Sequence, residues 1–154
     1  MNLRTARPAD FPALAAIAEA AYRVGFADLL PPAVLARFDF SHFALRFALE
    51  TVAPTLAETD RTVLGFHLTQ ARHIKMLFID PARRKQGIAA ALLADAEAGG
   101  AETLESFRDN APARRFYERH GWRCVREYTR AFDGIECAFV AYEKPRAGHR
   151  NGMT

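Results

Sequence analysis

Positive charge gathers directly ahead of an alanine-rich segment in the stretch RRKQGIAAALL, residues 83–93. Arg83, Arg84 and Lys85 precede Gly87, where helical spacing begins. The N-terminus of a helix is already electropositive, so cations there are unfavourable unless an anion binds. Free backbone N–H groups at a helix start, approached closely at a glycine, bind phosphate. The stretch therefore predicts either a phosphate site or an ordinary solvated basic turn.

The segments on either side read as a strand–turn–helix unit. His73–Ile79 is predicted to be a strand that stops at Asp80-Pro81, because proline cannot donate to a β-ladder. The helix is predicted over residues 87–98, with the pair Gly99-Gly100 as its C-terminal stop.

Apolar periodicity and turn residues predict the remaining elements. Further helices are expected at residues 11–22, in one or two turns within 34–50, and at 112–120. Further strands are expected at residues 2–6, 51–58, 62–70, 103–107, 122–128 and 135–143. Strands interleaved with helices in this order predict a mixed sheet covered by helices on both faces. We expect one domain over residues 1–144 and a flexible polar tail over 145–154.

Composition and charge narrow the function classes. With 50% hydrophobic and 25% charged residues, the 154-residue chain has the composition of a soluble globular domain. The net charge of +3 is too weak, and its basic runs too short, to favour a nucleic-acid partner. Cys124 and Cys137 are not expected to face each other across the last hairpin, so no disulfide is predicted. With no apolar leader, no membrane-spanning stretch and no metal-ligand spacing, we expect a cytoplasmic protein with neither a membrane partner nor a metal.

Two motifs resemble those of the GNAT superfamily of acyl-CoA-dependent N-acyltransferases. MLFIDPARRKQGIAAALL is similar to the family's acetyl-CoA-binding motif, and NAPARRFYERHGW to its downstream motif. They occur in the family's order, 20 residues apart from Ala89 to Asp109, and the resemblance covers nearly the whole chain. It implies an α+β fold with a mostly antiparallel central sheet and helices on both faces. It also implies acetyl-CoA as cosubstrate and an N-acetyltransferase that works by direct attack of an amine.

The resemblance assigns the cofactor residues. The CoA pyrophosphate is expected on the N–H groups of the helix start, and the pantetheine on the free edge of the preceding strand. The residues that this implies for the pyrophosphate are Arg84, Lys85, Gln86, Gly87, Ile88 and Ala89, and for the pantetheine Leu77, Phe78 and Ile79. Asn110 is expected either to bind cofactor, as in the family, or only to cap its helix.

The catalytic residues also come from the resemblance. Tyr117 occupies the family's proton-donor position in FYE, and a phenol can protonate a departing thiolate. His73 stands where several members have a glutamate base, and it is equally readable as a solvated residue at a strand end. His67, Glu58 and Glu105 are further candidates for the base. Phe116 and Trp122 are expected to pack, and Glu118 and Arg119 to lie on the surface.

The amine acceptor is expected between the first helices and the last hairpin. The residues considered for an apolar wall are Phe26, Phe38 and Phe40, and those for attracting an ammonium are Asp28, Asp39, Asp133 and Glu136. The sequence does not choose between a small-molecule amine and a peptide amine, and it leaves open a homodimer. The alternative function is a CoA-sensing module with little or no turnover.

Overall fold

The computed structural model describes residues 1–84 and 86–145, which contain seven strands and five α-helices. The strands are β1 (Asn2–Thr5), β2 (Thr55–Thr59), β3 (Thr62–Gln70), β4 (His73–Ile79), β5 (Thr103–Phe107), β6 (Arg123–Phe132) and β7 (Ile135–Glu143). The helices are α1 (Phe11–Gly25), α2 (Pro32–Leu35), α3 (Phe40–Leu49), α4 (Ile88–Ala98) and α5 (Ala111–Arg119). No helix in this part of the chain is long and apolar enough to cross a bilayer.

All the strands join one sheet in the order β1-β2-β3-β4-β5-β7-β6. Every neighbouring pair is antiparallel except β4 and β5, which run parallel and are connected through α4. The predicted α+β class with a mixed, mostly antiparallel sheet is therefore confirmed. The last two strands form the predicted hairpin, but β7 rather than β6 lies beside β5.

The parallel pair separates soon after it begins. Only His73 and Ile74 of β4 have partners on β5, although both strands continue well beyond them. On its other side β4 pairs with β3 as far as Ile79. A bulge in this pair leaves Lys75 with no opposite residue on β3. A bulge bends its strand and increases the local twist, which turns β4 away from β5. We call the space between residues 77–79 of β4 and residues 105–107 of β5 the strand cleft.

Each face of the sheet carries its own core. Helices α1 and α3 cover one face over fully buried rings such as Phe43 and Phe66, while Leu92 of α4 packs against the other face. Trp122 is also fully buried, and its indole N–H donates to Glu97 at the end of α4 over 2.8 Å. Burying a large apolar side chain contributes about 1.5–3 kcal/mol, so the two cores fix both helix layers against the sheet.

Some predicted boundaries were wrong, each for a local reason. Helix α1 continues through Gly25, because the N–H of Phe26 bonds to the carbonyl of Tyr22 over 2.9 Å. Strand β2 begins at Thr55 rather than at residue 51, because the preceding Pro54 has no N–H for the ladder. Strand β6 begins after the buried Trp122 and runs on to residue 132.

The cysteines lie apart, as the sequence predicts. Cys124 is opposite Tyr142 and Cys137 is opposite Arg130 in the β6–β7 ladder. Both thiols are free.

Gly65 of β3 is a position at which only glycine fits. A Cβ built there would lie 2.7 Å from the carbonyl oxygen of Phe78 and 2.8 Å from the Cδ1 of Ile79. We expect Gly65→Ala to destabilise the protein by about 1–3 kcal/mol, because β4 cannot move without disturbing both cores. The corresponding fall in thermal-unfolding midpoint is about 2–4 °C per kcal/mol, measurable by circular dichroism.

The matched control is Gly25→Ala at the end of α1, where an added methyl meets no atom within 4 Å. Alanine is a better helix former than glycine, so this variant should be unchanged or more stable by up to about 1 kcal/mol. Equal midpoints for the two variants would contradict the close approach of β3 and β4.

Candidate active site

A cavity of about 500 Å³ lies where β4 and β5 separate, between α1, α5 and the sheet. We call it the central cavity. Both predicted catalytic residues, His73 and Tyr117, line it, and so does Asn110. Ligand pockets of small-molecule enzymes have volumes of roughly 300–1,000 Å³, so this cavity can hold a small substrate.

Tyr117 reaches the cavity from α5 and is partly buried. Its ring lies 5.3 Å from that of Phe116 and 6.3 Å from that of Trp122, between ring centroids. Its carbonyl accepts the N–H of Trp122 over 3.0 Å, which ties the end of α5 to the buried indole. Burial raises the pKa of the Tyr117 phenol above its usual value of 10, so the hydroxyl keeps its proton at neutral pH.

His73 is the first residue of β4 and is partly buried. Its Nδ1 lies 2.8 Å from Oγ1 of Thr103 on β5. Burial lowers the pKa of His73 below 6.5. The charge of Lys75 lowers this pKa further, and the charge of Glu105 opposes the shift without cancelling it. The imidazole is therefore neutral at pH 7 and has a lone pair to accept a proton.

The other candidates for the base are placed less well. His67 is buried on the opposite face of the sheet, with Nε2 2.9 Å from Asp95 of α4, and Glu58 binds Arg4 beside β1. Neither lines the central cavity, whereas Glu105 does. Burial alone would raise the pKa of Glu105, but hydrogen bonds from Arg130 and Tyr128 outweigh it and the pKa is lowered. Glu105 is thus a weak base already occupied by two donors.

The strand cleft exposes the backbone of β4. Asp80 donates its N–H to the carbonyl of Leu64 over 2.9 Å, which marks a hydrogen-bonded pair of the β3–β4 ladder. Such pairs alternate along antiparallel strands, so Phe78 also turns its backbone groups towards β3. The N–H and C=O groups of Leu77 and Ile79 consequently point into the strand cleft. Of the three residues that the resemblance implies for the pantetheine, Leu77 and Ile79 therefore have backbone groups on the free edge, whereas those of Phe78 face β3.

A second cavity, of about 380 Å³, lies at the N-terminus of α4. We call it the helix-start cavity. Gly87 precedes the helix with φ of +75°, a left-handed conformation that other residues adopt only with strain. Among the described residues, no side chain caps this helix and no atom lies within 4 Å of a Cβ built on Gly87, apart from its chain neighbours. The first N–H groups of a helix have no partner inside it, so the cavity floor is an uncapped donor surface.

The predicted phosphate residues are placed differently from one another. Arg84, Ile88 and Ala89 line the helix-start cavity with Gly87. The side chain of Ile88 is 2% exposed and packs in the core, so only its backbone is available to a ligand. Gln86 is exposed and does not line the cavity, and Lys85 lies outside the described residues.

Sequence reasoning missed the far wall of this cavity. Phe116 and Arg119 of α5 line it with His120, the residue that follows the helix, although Arg119 is predicted to be a surface residue. His120 holds its Nδ1 2.8 Å from the carbonyl of Phe116, and since a carbonyl only accepts, Nδ1 carries a proton. Residues three and four apart share a helix face, so their spacing was the available signal.

Asn110 takes the capping role that the sequence offered as one alternative. Its Oδ1 accepts the N–H of Ala113 over 3.4 Å, which helps to start α5. The residue also lines the central cavity, so the cap places its amide beside the strand cleft.

The acidic residues considered for the acceptor lie elsewhere. Asp39 caps α3 by accepting the N–H of His42 over 2.9 Å, and Asp133 binds Arg37 over 2.5 Å. Asp28 and Glu136 are exposed, and none of the four acids lines the central cavity. The structure does not bring these acids to the cavity, and their role in attracting an ammonium stays a prediction.

Of the three predicted wall residues, only Phe26 lines the central cavity. Phe38 is buried and stacks on Tyr22 at 5.0 Å, while Phe40 is 41% exposed. Aromatic side chains on the strands form the rest of the wall. The helical spacing of apolar residues did not indicate their place at the cavity.

Comparison with known proteins decides the family. The family model for an acetyltransferase (GNAT) domain matches residues 20–144 of the sequence. The chain belongs to the GNAT acetyltransferase family. A search of the curated proteins finds no significant match.

Solved structures share the fold of this GNAT acetyltransferase. Apo YjaB from Escherichia coli is 22% identical over 95% of this chain and 98% of its own, with a TM-score of 0.80. A GCN5-related N-acetyltransferase from Rhodopseudomonas palustris, also titled a class-II aminotransferase, is 24% identical over 94% of this chain and 95% of its own, with a TM-score of 0.75. PaiA N-acetyltransferase from Thermoplasma acidophilum, in complex with coenzyme A, is 16% identical over 94% of this chain and 98% of its own, with a TM-score of 0.66. At these identities the likeness establishes the fold.

The lowered pKa of His73 in this acetyltransferase can be measured directly. We expect the imidazole signals of His73 in an NMR titration to have a midpoint below 6.5, because burial disfavours the charged ring. As pH falls below about 6.5 the unfolded chain binds this proton before the folded chain does, so stability falls. The same histidine in urea-unfolded protein, titrating near 6.5, is the control. A folded-state midpoint at or above that of the unfolded chain contradicts the assignment.

Proposed function

We propose that this acetyltransferase binds acetyl-CoA across the strand cleft and transfers the acetyl group to a primary amine in the central cavity. The observation that carries the proposal is the separation of β4 from β5 after two residue pairs. It leaves the backbone of Leu77 and Ile79 free to pair with an extended ligand, as an added strand would. The helix-start cavity adjoins Ile79, and the central cavity adjoins Leu77.

The helix-start cavity suits the charged part of the cosubstrate. Gly87 allows the chain to turn with φ of +75° and leaves open space in front of the first N–H groups of α4. Arg83, Arg84 and Arg119 line the same cavity and supply positive charge. A pyrophosphate there reverses the unfavourable interaction of these cations with the helix dipole.

Acetyl-CoA supplies an activated acetyl group as a thioester, and the chain supplies proton transfer and position. His73 accepts a proton from the incoming ammonium, because its neutral imidazole lies in the cavity. The amine nitrogen forms a bond to the acetyl carbon as the carbon–sulfur bond breaks. The nitrogen loses two protons: His73 takes one and releases it to solvent, and the other passes to the sulfur, so the products are an amide and the CoA thiol.

Tyr117 acts at the sulfur. Its pKa is raised by burial, while a thiol has a pKa of about 8.5, so complete proton transfer from the phenol is uphill. The hydroxyl therefore stabilises the developing thiolate as a hydrogen-bond donor. The proton that the amine loses as the amide forms ends on this sulfur, so CoA leaves as the thiol.

The amine acceptor is supported by the relatives. The solved structures from R. palustris and T. acidophilum are both titled N-acetyltransferases, and the latter contains coenzyme A. A chain that only senses CoA needs the helix-start cavity and the strand cleft, but not a neutral histidine and a protonated tyrosine in an adjoining cavity. Release of CoA thiol in the presence of an amine separates catalysis from sensing.

Gly87→Glu tests the phosphate site. We expect this variant to lose acetyl-CoA binding by isothermal titration calorimetry, because the carboxylate would occupy the space before α4 and repel phosphate. The matched control is Gly100→Glu, just past the other end of the same helix. Gly100 also has a positive φ, of +103°, and open space around it. Wild-type affinity in Gly87→Glu refutes the phosphate site, and loss of binding in both variants points to strain alone.

Tyr117→Phe tests the hydroxyl at the sulfur. We expect kcat for CoA release to fall by roughly 10²-fold, while the Kd for acetyl-CoA changes little. Tyr142→Phe is the control, since the Tyr142 hydroxyl binds Glu118 and Arg114 and the residue does not line the central cavity. Unchanged turnover in Tyr117→Phe removes this residue from the mechanism.

A further inference from the structure

Aromatic rings form one side of the central cavity. Tyr22 lies 5.5 Å from Phe78, Phe26 lies 5.0 Å from Phe107, and Phe107 lies 5.3 Å from Phe132, between ring centroids. All five residues line the cavity. A surface of this kind binds an apolar group of similar size by burial of apolar area and by ring contacts.

The charged residues of the cavity are three cations and one acid: Arg46, Lys75, Arg130 and Glu105. Arg130 grips Glu105 with two hydrogen bonds, of 2.8 and 2.5 Å. Lys75 holds Glu50 just outside the lining, at 2.6 and 2.9 Å. In each of these two pairs the positive and the negative charge offset one another.

Arg46 accounts for the positive charge of the central cavity that no acid offsets in full. Its only described ion pair is with Glu50, at 4.0 Å, and that acid is already bound by Lys75. Arg46 lines the cavity together with the aromatic rings, and the guanidinium carbon of Arg130 lies 5.8 Å from the ring centroid of Phe132. A guanidinium has five N–H donors in a planar fork that matches a carboxylate. The cavity therefore offers an apolar wall and one anion-binding group.

We propose that the acceptor is a monoamine that carries both a carboxylate and an apolar side chain, an apolar α-amino acid in free form. This inference rests on the proposed function and names the substrate class of the same site. Arg46 binds the carboxylate, the rings receive the side chain, and the amine lies towards His73. Acetyl transfer forms the N–C bond and breaks the C–S bond, and the proton of the amine ends on the CoA sulfur.

The same charges disfavour the other amine classes. A polyamine needs acids that are free to bind each ammonium, yet among the described residues the one acid that lines the cavity is held by Arg130. The first residue of a peptide has no α-carboxylate for Arg46. Like-charge repulsion in a partly desolvated site costs more than in water, so a polycation should bind poorly.

The experiment compares four acceptors at saturating acetyl-CoA, with CoA thiol release as the readout. L-Phenylalanine carries both groups, L-phenylalaninamide and 2-phenylethylamine lack the carboxylate, and spermidine is a polycation. We expect Arg46→Gln to raise the KM for L-phenylalanine by about 10- to 100-fold, because a charge-assisted hydrogen bond is lost. The KM values for the amide and for 2-phenylethylamine should stay the same or fall, because neither has a carboxylate to lose its partner and a repelling positive charge has been removed. The kcat for L-phenylalanine should change little.

Two further variants sharpen the comparison. Arg46→Lys keeps the charge and should recover part of the affinity for L-phenylalanine. Arg23→Gln removes the same charge from an exposed position on α1 outside the cavity and should behave as wild type. Comparing each variant with wild type for one acceptor cancels the different basicities of the amines.

The outcomes separate this inference from the proposed function. Preference for spermidine or for the amide, or an unchanged KM for L-phenylalanine in Arg46→Gln, overturns the acceptor class while turnover stands. No turnover of L-phenylalanine by a protein that binds acetyl-CoA in calorimetry also overturns the acceptor class. Failure to bind acetyl-CoA at all overturns the proposed function itself.

Discussion

The separation of two parallel strands is the constraint on which the rest of the molecule depends. β4 pairs with β5 at only two positions and then turns away, with Lys75 bulged from the β3 ladder. An unpaired backbone group that is also hidden from water costs about 1–3 kcal/mol, so the groups of Leu77 and Ile79 must face either solvent or a ligand. The fold tolerates this because both faces of β4 are packed, with Met76 buried in one core and Leu77 beside the other. The strand cleft is thus held open by the cores on either side of it.

Charge at the start of α4 follows the same logic. Gly87 adopts a left-handed conformation and brings no cap, so the dipole and the first N–H groups remain exposed. Arg83 and Arg84 add positive charge where the dipole already disfavours it, and Arg119 adds more from α5. An arrangement that is unfavourable without an anion is explained if an anion is the normal occupant.

The sequence predicted the fold well where local chemistry decides it. The bounds of β3, β4, β5 and β7 were correct because glycine, proline and polar turns punctuate them, and the motif around Gly87 located the start of α4. What failed depends on tertiary contact. Arg119 and His120 line the helix-start cavity because the end of α5 lies across it from the start of α4. Two of the four acids considered for the acceptor, Asp39 and Asp133, are used by a helix cap and a surface ion pair. Arg46 sits in a run of phenylalanines whose helical spacing indicated only a core, so its place at the cavity required the folded chain.

The electrostatics of the central cavity bear on which form of the amine reacts. A thioester is attacked only by the neutral amine, which is the minor form at pH 7 for an ordinary aliphatic amine. His73 is kept neutral by burial, so it can take the proton, and the excess cation near the aromatic wall disfavours a second positive charge in the cavity. Both effects favour the deprotonated nucleophile. In the proposed reaction Tyr117 meets the opposite demand, because burial raises the pKa of its phenol and the proton stays in place while negative charge would develop on the sulfur. Burial is thus the largest cause of both shifts: it favours the neutral imidazole of His73 and the protonated phenol of Tyr117, the forms that the proposed reaction requires.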